Sequence, residues 1–452
     1  MTYPGLADLL RRERAAYRDQ HPQSAEIHAS SEHLISGVPM TWMSAWAGGF
    51  PLTFRTAHGN RITDVDGIEY VDFALGDTGA MAGHSPEPTV RAVAQRIGTD
   101  GGITTMLPSE DAEWVATELT RRFGLPQWSF TLSATDANRW ALRLARLISG
   151  RPKVLVFSYC YHGTVDESFV IVGPDGQAMS RPGNVGPAVD PSATTRVVEW
   201  NDLAALEREL AHGDVAAVLA EPALTNIGIV LPDPGFLQQL QAATAAAETL
   251  LIIDETHTFS AGPGGVTAAE GLSPDMFVIG KSIGGGIPSG AYGMSADVTE
   301  RLERRIADEG ADLVDVGGVG GTLAGNALSL AAMCATLGEV LTDGAFKQMI
   351  SMADRYTAAI RRTIESASMP WSISQLGARA EYRFASPAPR TGGESAAAAN
   401  EELDEYFHLY LANRGVLLTP FHNMALMCPT TTVEDVDLHT ELFAQAVAEL
   451  AG

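Results

Sequence analysis

The sequence predicts an α/β protein: a large domain with a mixed, mostly parallel sheet, joined to a smaller α+β domain. Three observations lead there. The chain has 452 residues, more than a single small core can organise. From about residue 64 to 341, short apolar runs alternate with longer amphipathic stretches, the pattern of parallel strands joined by crossover helices. Beyond that, strand signals return at 380–384 and 425–428. The expected division is an N-terminal segment (1–63) packing with the small domain, a large domain (64–341) and a C-terminal small domain (342–452).

The elements follow in order. The opening stretch MTYPGLADLLRRERAAYRDQHPQ reads as a polar, amphipathic helix and lacks the apolar core of a signal peptide. Strands are expected at 128–132, 153–157, 215–219, 250–254 and 276–279. Several are apolar throughout, as for strands covered on both faces. Helical patterns at 136–149, 203–212 and 236–249 lie between them. The segment 173–195, rich in Gly, Pro, Asp and Ser, reads as a long surface loop, and 386–400 as a polar link within the C-terminal domain.

Composition narrows the function. Hydrophobic residues make up 45% and charged residues 19%, which fits a globular chain. A net charge of −25 argues against nucleic acid or an anionic membrane surface as partner. No apolar run is long enough to span a bilayer. Cys160, Cys334 and Cys428 have neither a disulfide framework nor metal-ligand spacing, so no metal is expected and a cytoplasmic setting fits.

The most informative stretch is TLLIIDETHTFSAGPGG, followed by SPDMFVIGKSIGGGIPSGAYG. Asp254 closes one buried apolar strand and Lys281 another, so both emerge at the same sheet edge, where such folds bind ligands. A lysine in a partly desolvated pocket can form an imine with an aldehyde, and a carboxylate opposite can keep a pyridine nitrogen protonated. A plain Asp–Lys ion pair is the simpler alternative. Two nucleotide readings fail. A GxxxxGK[ST] loop would need glycine where Asp275 stands, and GxGxxG is broken by Ser289 after Gly284 and Gly286, and by Leu323 in GGVGGTLAG. Ser133, Ala134 and Thr135, before a helix, can form an anion site or simply cap that helix. Tyr161 and His162 follow the strand 153–157, where an aromatic can stack on a flat ring or belong to the core. Asn226, beyond Glu221, can bond a phenolic oxygen or hold its own loop.

In their order these pieces resemble the class III aminotransferases, and within them the glutamate-1-semialdehyde aminomutase-like branch, from about residue 35 to 333, with GHSPEP at 83–88 as a further landmark. The resemblance implies fold type I of the enzymes dependent on pyridoxal 5'-phosphate (PLP). It implies Lys281 as the Schiff-base lysine and Asp254 as partner of the pyridinium. It also implies Ser133, Ala134 and Thr135 as the phosphate loop, Tyr161 as the stacking aromatic, and Asn226 as ligand of the ring's phenolic oxygen. Thr256 lies on the other face of the ring, and Thr322 in GGTLAGN reaches the phosphate of a neighbouring subunit, which implies a homodimer with its active site at the interface. Ala134, Asp136, Leu132 and Thr256 stand where the family usually has glycine, glutamate, asparagine and valine, and His257 follows, so the pocket is reshaped.

The expected activity is amino-group transfer from an amine or hydrophobic amino compound to a keto acid or aldehyde, with an aminomutase or racemase as alternative on the same fold. The substrate preference rests on VPMTWMSAWAGGFPL, which offers Trp42, Met43 and Trp46 where relatives acting on amino acids place an arginine. LLTPFHNMAL likewise offers Phe421 and His422. An arginine would clamp a carboxylate through two parallel hydrogen bonds; the alternative is that Arg390 or Arg414 swings in.

Overall fold

The structure is a computed structural model and describes residues 3–451. The chain divides into two compact units, one of residues 1–86, 344–388 and 398–452, the other of 87–343 and 389–397.

The first unit contains strands β1 (Phe54–His58), β2 (Arg61–Asp64) and β3 (Glu69–Asp72). The boundary expected at 63/64 falls later. The reason is β3, which pairs in parallel with a late strand at Val416–Leu417, Val71 facing Val416. That pairing ties 64–86 to the C-terminal region. The helix Leu6–Gln20 turns Tyr17 into a core with Phe50, Tyr70, Leu409 and Leu417. Its polar side is anchored on the helix Glu401–Ala412 by Arg14 Nε, which donates to Glu405 at 2.7 Å.

The second unit is built on a seven-stranded sheet. Its strands are β4 (Gln127–Thr131), β5 (Lys153–Phe157), β8 (Thr195–Val198), β9 (Val215–Ala220), β10 (Leu250–Asp254), β11 (Met276–Gly280) and β12 (Gly290–Met294), with a separate hairpin of β6 (Val170–Val172) and β7 (Ala178–Ser180). The order across the sheet is β4-β12-β11-β10-β9-β5-β8. Only β12 runs against its neighbours. β9, β10 and β11 are buried at every position, because VAAVLA, LLIID and MFVIG are apolar on both faces of the pleat and must be covered on both sides. β12 carries glycine for a packing reason: a Cβ on Gly293 would lie 2.9–3.0 Å from the Trp128 ring.

Two expectations change. The loop at 173–195 contains the turn and second strand of the β6–β7 hairpin and a short turn of helix at Pro191–Ala193. The link at 386–400 contains the helix Gly392–Ala397, which belongs to the second unit, where Arg390 is ion-paired with Asp233.

Candidate active site

β10 and β11 are adjacent and parallel, with Asp254 opposite Val278. Asp254 therefore ends its strand on the edge where Lys281 begins the next turn. Lys281 has φ 51°, in the left-handed region, so the chain bends sharply at the lysine. Gly280 before it is required by space: a Cβ there would meet the Ala134 amide nitrogen at 2.9 Å. The lysine strand and the helix Ala134–Ser149 thus come into contact, backbone against first turn.

That helix begins where Ser133 caps it, its Oγ accepting from Asp136 N at 3.2 Å. Thr135 Oγ1 accepts from Thr164 N at 3.2 Å, and Gly163 lies so close that a Cβ would meet Thr135 Oγ1 at 2.0 Å. The helix N-terminus, with its amide hydrogens and positive dipole end, suits a phosphate.

Asp254 is buried and held by three donors. Asn138 Nδ2 and His162 Nδ1 donate to its Oδ2 at 2.7 and 2.9 Å, and Thr256 N donates to its Oδ1 at 3.0 Å. Burial pushes the carboxyl pKa up, but the hydrogen bond and charge of His162, helped by Thr256 and Asn138, reverse this and hold it below the usual carboxylate value. His162 is also buried. Burial disfavours its imidazolium, while the Cys160 sulfur and Asp254 more than offset that and raise its pKa well above the ordinary 6.5. The pair is a carboxylate kept ionised inside the protein.

Lys281 Nζ and His257 Nε2 share a hydrogen bond of 2.7 Å. Tyr161 is half-buried, edge-on to Phe169 at 6.1 Å, and its backbone N donates to Glu221 Oε1 at 3.2 Å. Burial raises the Glu221 pKa. Asn226 follows in the same loop, and its Oδ1 accepts from Arg181 at 3.1 Å.

The residues present fit PLP. A carboxylate has about four acceptor positions. Three named donors use the Asp254 carboxylate, so it can accept one more hydrogen bond, as a pyridinium requires. Thr256 Oγ1 is buried with no hydrogen-bond partner among the described residues, as expected of a hydroxyl facing a ligand. Among those residues no cluster of three or more His, Cys, Asp or Glu could hold a metal, and no helix is long and apolar enough to cross a membrane.

The second unit therefore brings Lys281, Asp254, Thr256, Ser133, Ala134, Thr135, Tyr161 and Asn226 to the ends of its strands. Thr322 is exposed in the turn before the helix Ala327–Ala335. The aromatic residues expected around the substrate lie in the first unit. Trp42, Met43 and Trp46 line a cavity of about 530 Å³ whose described walls hold no arginine or lysine. Phe421 meets Trp42 edge-on at 6.0 Å, and His422 is buried with Nδ1 3.4 Å from Glu381. Arg390 and Arg414 are committed elsewhere, the first to Asp233 and the second to Glu13 at 2.9 Å. Sequence reasoning missed Asn138 and Arg181. Asn138 had a signal, a polar residue on the apolar side of an amphipathic helix; Arg181, in a polar hairpin without a motif, had none.

A family model described as aminotransferase class-III matches residues 42–447. A glutamate-1-semialdehyde 2,1-aminomutase of Chloroflexus aggregans is 31% identical over 445 residues, covering 96% of this chain and 99% of that one. The crystal structure of a glutamate-1-semialdehyde aminomutase of Pseudomonas aeruginosa in complex with PMP is 49% identical, with a TM-score of 0.96 and coverage of 100% and 99%. An omega-transaminase of Sphaerobacter thermophilus is 27% identical, with a TM-score of 0.85 and coverage of 97% and 100%.

Proposed function

The chain belongs to the class III aminotransferases, and we propose that it is a PLP enzyme moving an amino group between neighbouring carbons of one small amino-carbonyl compound, the 2,1-aminomutase reaction. The observation that carries the reading is the placement of Lys281 beside the three-donor carboxylate of Asp254 at one sheet edge. Amino-group migration within one molecule, over transfer between two, is supported by the aminomutase names of the relatives. This reverses the order expected from sequence, where transfer came first.

When bound, PLP supplies an aldehyde carbon for Lys281 and a pyridine ring that draws electrons from the reacting carbon. Lys281 Nζ holds the cofactor and, once displaced, carries a proton to and from the substrate carbon as general base and acid. His257 Nε2, at 2.7 Å, orients that amine. Asp254 keeps a proton on the pyridine nitrogen, and Asn138 and His162 keep Asp254 aimed and ionised. Ser133, Ala134 and Thr135 would hold the phosphate with backbone amides and hydroxyls, Tyr161 and Thr256 would pack on the ring, and Asn226 would donate to its phenolic oxygen. Exposed Thr322 serves the phosphate of a second copy, which makes the enzyme a homodimer. A reducing compartment such as the cytoplasm suits its unpaired cysteines.

A second reading, transfer from an amine or hydrophobic amino compound to a keto acid or aldehyde, is favoured by the sequence, which has Trp42, Met43 and Trp46 where relatives acting on amino acids place an arginine. One experiment separates the two. Enzyme loaded with pyridoxamine phosphate is given glutamate-1-semialdehyde without any acceptor, and product is counted per active site. Sustained turnover is expected. At most one equivalent per site, with sustained turnover only when 1-phenylethylamine and pyruvate are supplied together, would establish the second reading and reject the first.

A further inference from the structure

We propose that Arg181 is the anchor for a carboxylate on the substrate. The inference deepens the aminomutase reading and rests on it for the identity of the substrate, but not for the existence of the anion site.

The chain has 55 acidic and 30 basic residues, and several half-buried arginines outside this site are neutralised by carboxylates. Arg196 pairs with Asp214 and Glu209, Arg146 with Glu167, Arg390 with Asp233 and Arg414 with Glu13. Arg181 has no such pairing among the described residues. Its guanidinium donates from NH1 to Asn226 Oδ1 at 3.1 Å and lies 5.3 Å over the ring of Tyr159, half-buried. A partly desolvated cation with one neutral acceptor and one aromatic face is under-compensated and favours an anion beside it.

Its position is fixed by the backbone. Arg181 N donates to Phe169 O at 2.9 Å and Asn184 N donates to Arg181 O at 3.0 Å, so the residue is pinned where the β6–β7 hairpin ends. Asn226, its side-chain partner, stands in the loop after β9, the loop whose Glu221 holds the backbone of Tyr161. The guanidinium is therefore at the strand ends that carry Lys281 and Asp254. A guanidinium has five N–H donors in a planar fork, and the Asn226 contact uses one. The remainder suits the two oxygens of a carboxylate. The contact also has a directional effect. Because the guanidinium only donates, Asn226 must turn its Oδ1 toward Arg181, which leaves its Nδ2 as a donor for the cofactor ring.

The test uses holoenzyme and two donors that differ only in the carboxylate, 4,5-diaminopentanoate and 1,2-diaminobutane, with conversion of the cofactor's absorbance as readout. Arg181→Gln, whose amide can still donate to Asn226 Oδ1, is expected to raise KM for the carboxylate-bearing donor about 10- to 100-fold with little change in kcat, and to change KM for the diamine far less. Arg181→Lys, which keeps the charge but not the fork, is expected to fall between. Binding of glutarate to the holoenzyme, followed by calorimetry, is expected in the native protein and lost in Arg181→Gln at unchanged melting temperature. Equal losses for both donors, or none for either, would reduce Arg181 to a support for its loop and overturn the proposal. If native enzyme transfers no amino group from either donor, the aminomutase reading falls. Glutarate binding then decides the anchor alone, and its persistence in Arg181→Gln rejects it.

Discussion

Replacing Asp254 by asparagine preserves volume and removes one charge, and the structure sets the size of the effect. The carboxylate offers acceptors in both directions, Oδ2 toward Asn138 Nδ2 and His162 Nδ1, and Oδ1 toward Thr256 N. An amide cannot do this. With its oxygen toward Asn138 and His162, its NH2 faces the Thr256 N–H, and a buried donor loses its acceptor, at about 1–3 kcal/mol. The two remaining bonds fall from charge-assisted to ordinary strength, which adds roughly 1 kcal/mol. The apoprotein is therefore expected to lose about 2–4 kcal/mol, read from urea unfolding midpoints at constant slope. Loss of the anion facing the pyridine nitrogen acts on the reaction itself and is expected to lower kcat on the order of 10³-fold. A folded, fully PLP-loaded Asp254→Asn variant with kcat within a few-fold of native would refute the role assigned to the carboxylate. Unchanged apoprotein stability would refute the three-donor account of it.

Three further outcomes are expected. Lys281→Ala will bind PLP without a borohydride-reducible bond, checked by mass spectrometry of the reduced protein, and will not turn over. His162→Asn will destabilise the protein more at pH 6 than at pH 9. The raised His162 pKa gives stability that is complete below the ordinary 6.5 and is lost as pH rises through the folded value, while the lowered Asp254 pKa gives stability present above 3.8, so the pair is fully effective between the two. Thr322→Ala will weaken PLP binding by about tenfold or more, as for one lost bond to a charged oxygen, while sedimentation still gives a dimer.

The strands that carry the chemistry were legible because four consecutive apolar residues run through each of them, with a charged residue only at one end. KVLVF and LLIID have the expected bounds, and the helix after Ser133 begins within two residues of its expected start. β12 was not legible. GAYGM has glycines where a strand signal needs branched side chains, and their reasons are tertiary: Gly290 packs on Thr131 and Ser133, Gly293 on the Trp128 ring. β8 was absorbed by the polar loop before it, and the β6–β7 hairpin by its glycine and proline. Lys281, Asp254 and Tyr161 stand at the ends of legible strands, so their neighbourhood could be inferred from order alone. The hydrogen bonds from Asn138 to Asp254 and from Arg181 to Asn226 join residues far apart in the chain, and no local pattern encodes such contacts.

The first unit has a consequence for how the protein is made. It draws on both chain ends: Tyr17 and Phe50 share a core with Leu409 and Leu417, and β3 finds its partner only at Val416–Leu417. A ribosome adding about 5–20 residues per second leaves the N-terminal segment waiting roughly 20–70 s for those partners. The second unit, whose strands all emerge in the meantime, is free to fold first. Nascent chains stalled before residue 398 are therefore expected to carry a folded sheet and an unburied N-terminal helix, a target for chaperones and a seed for aggregation during overexpression.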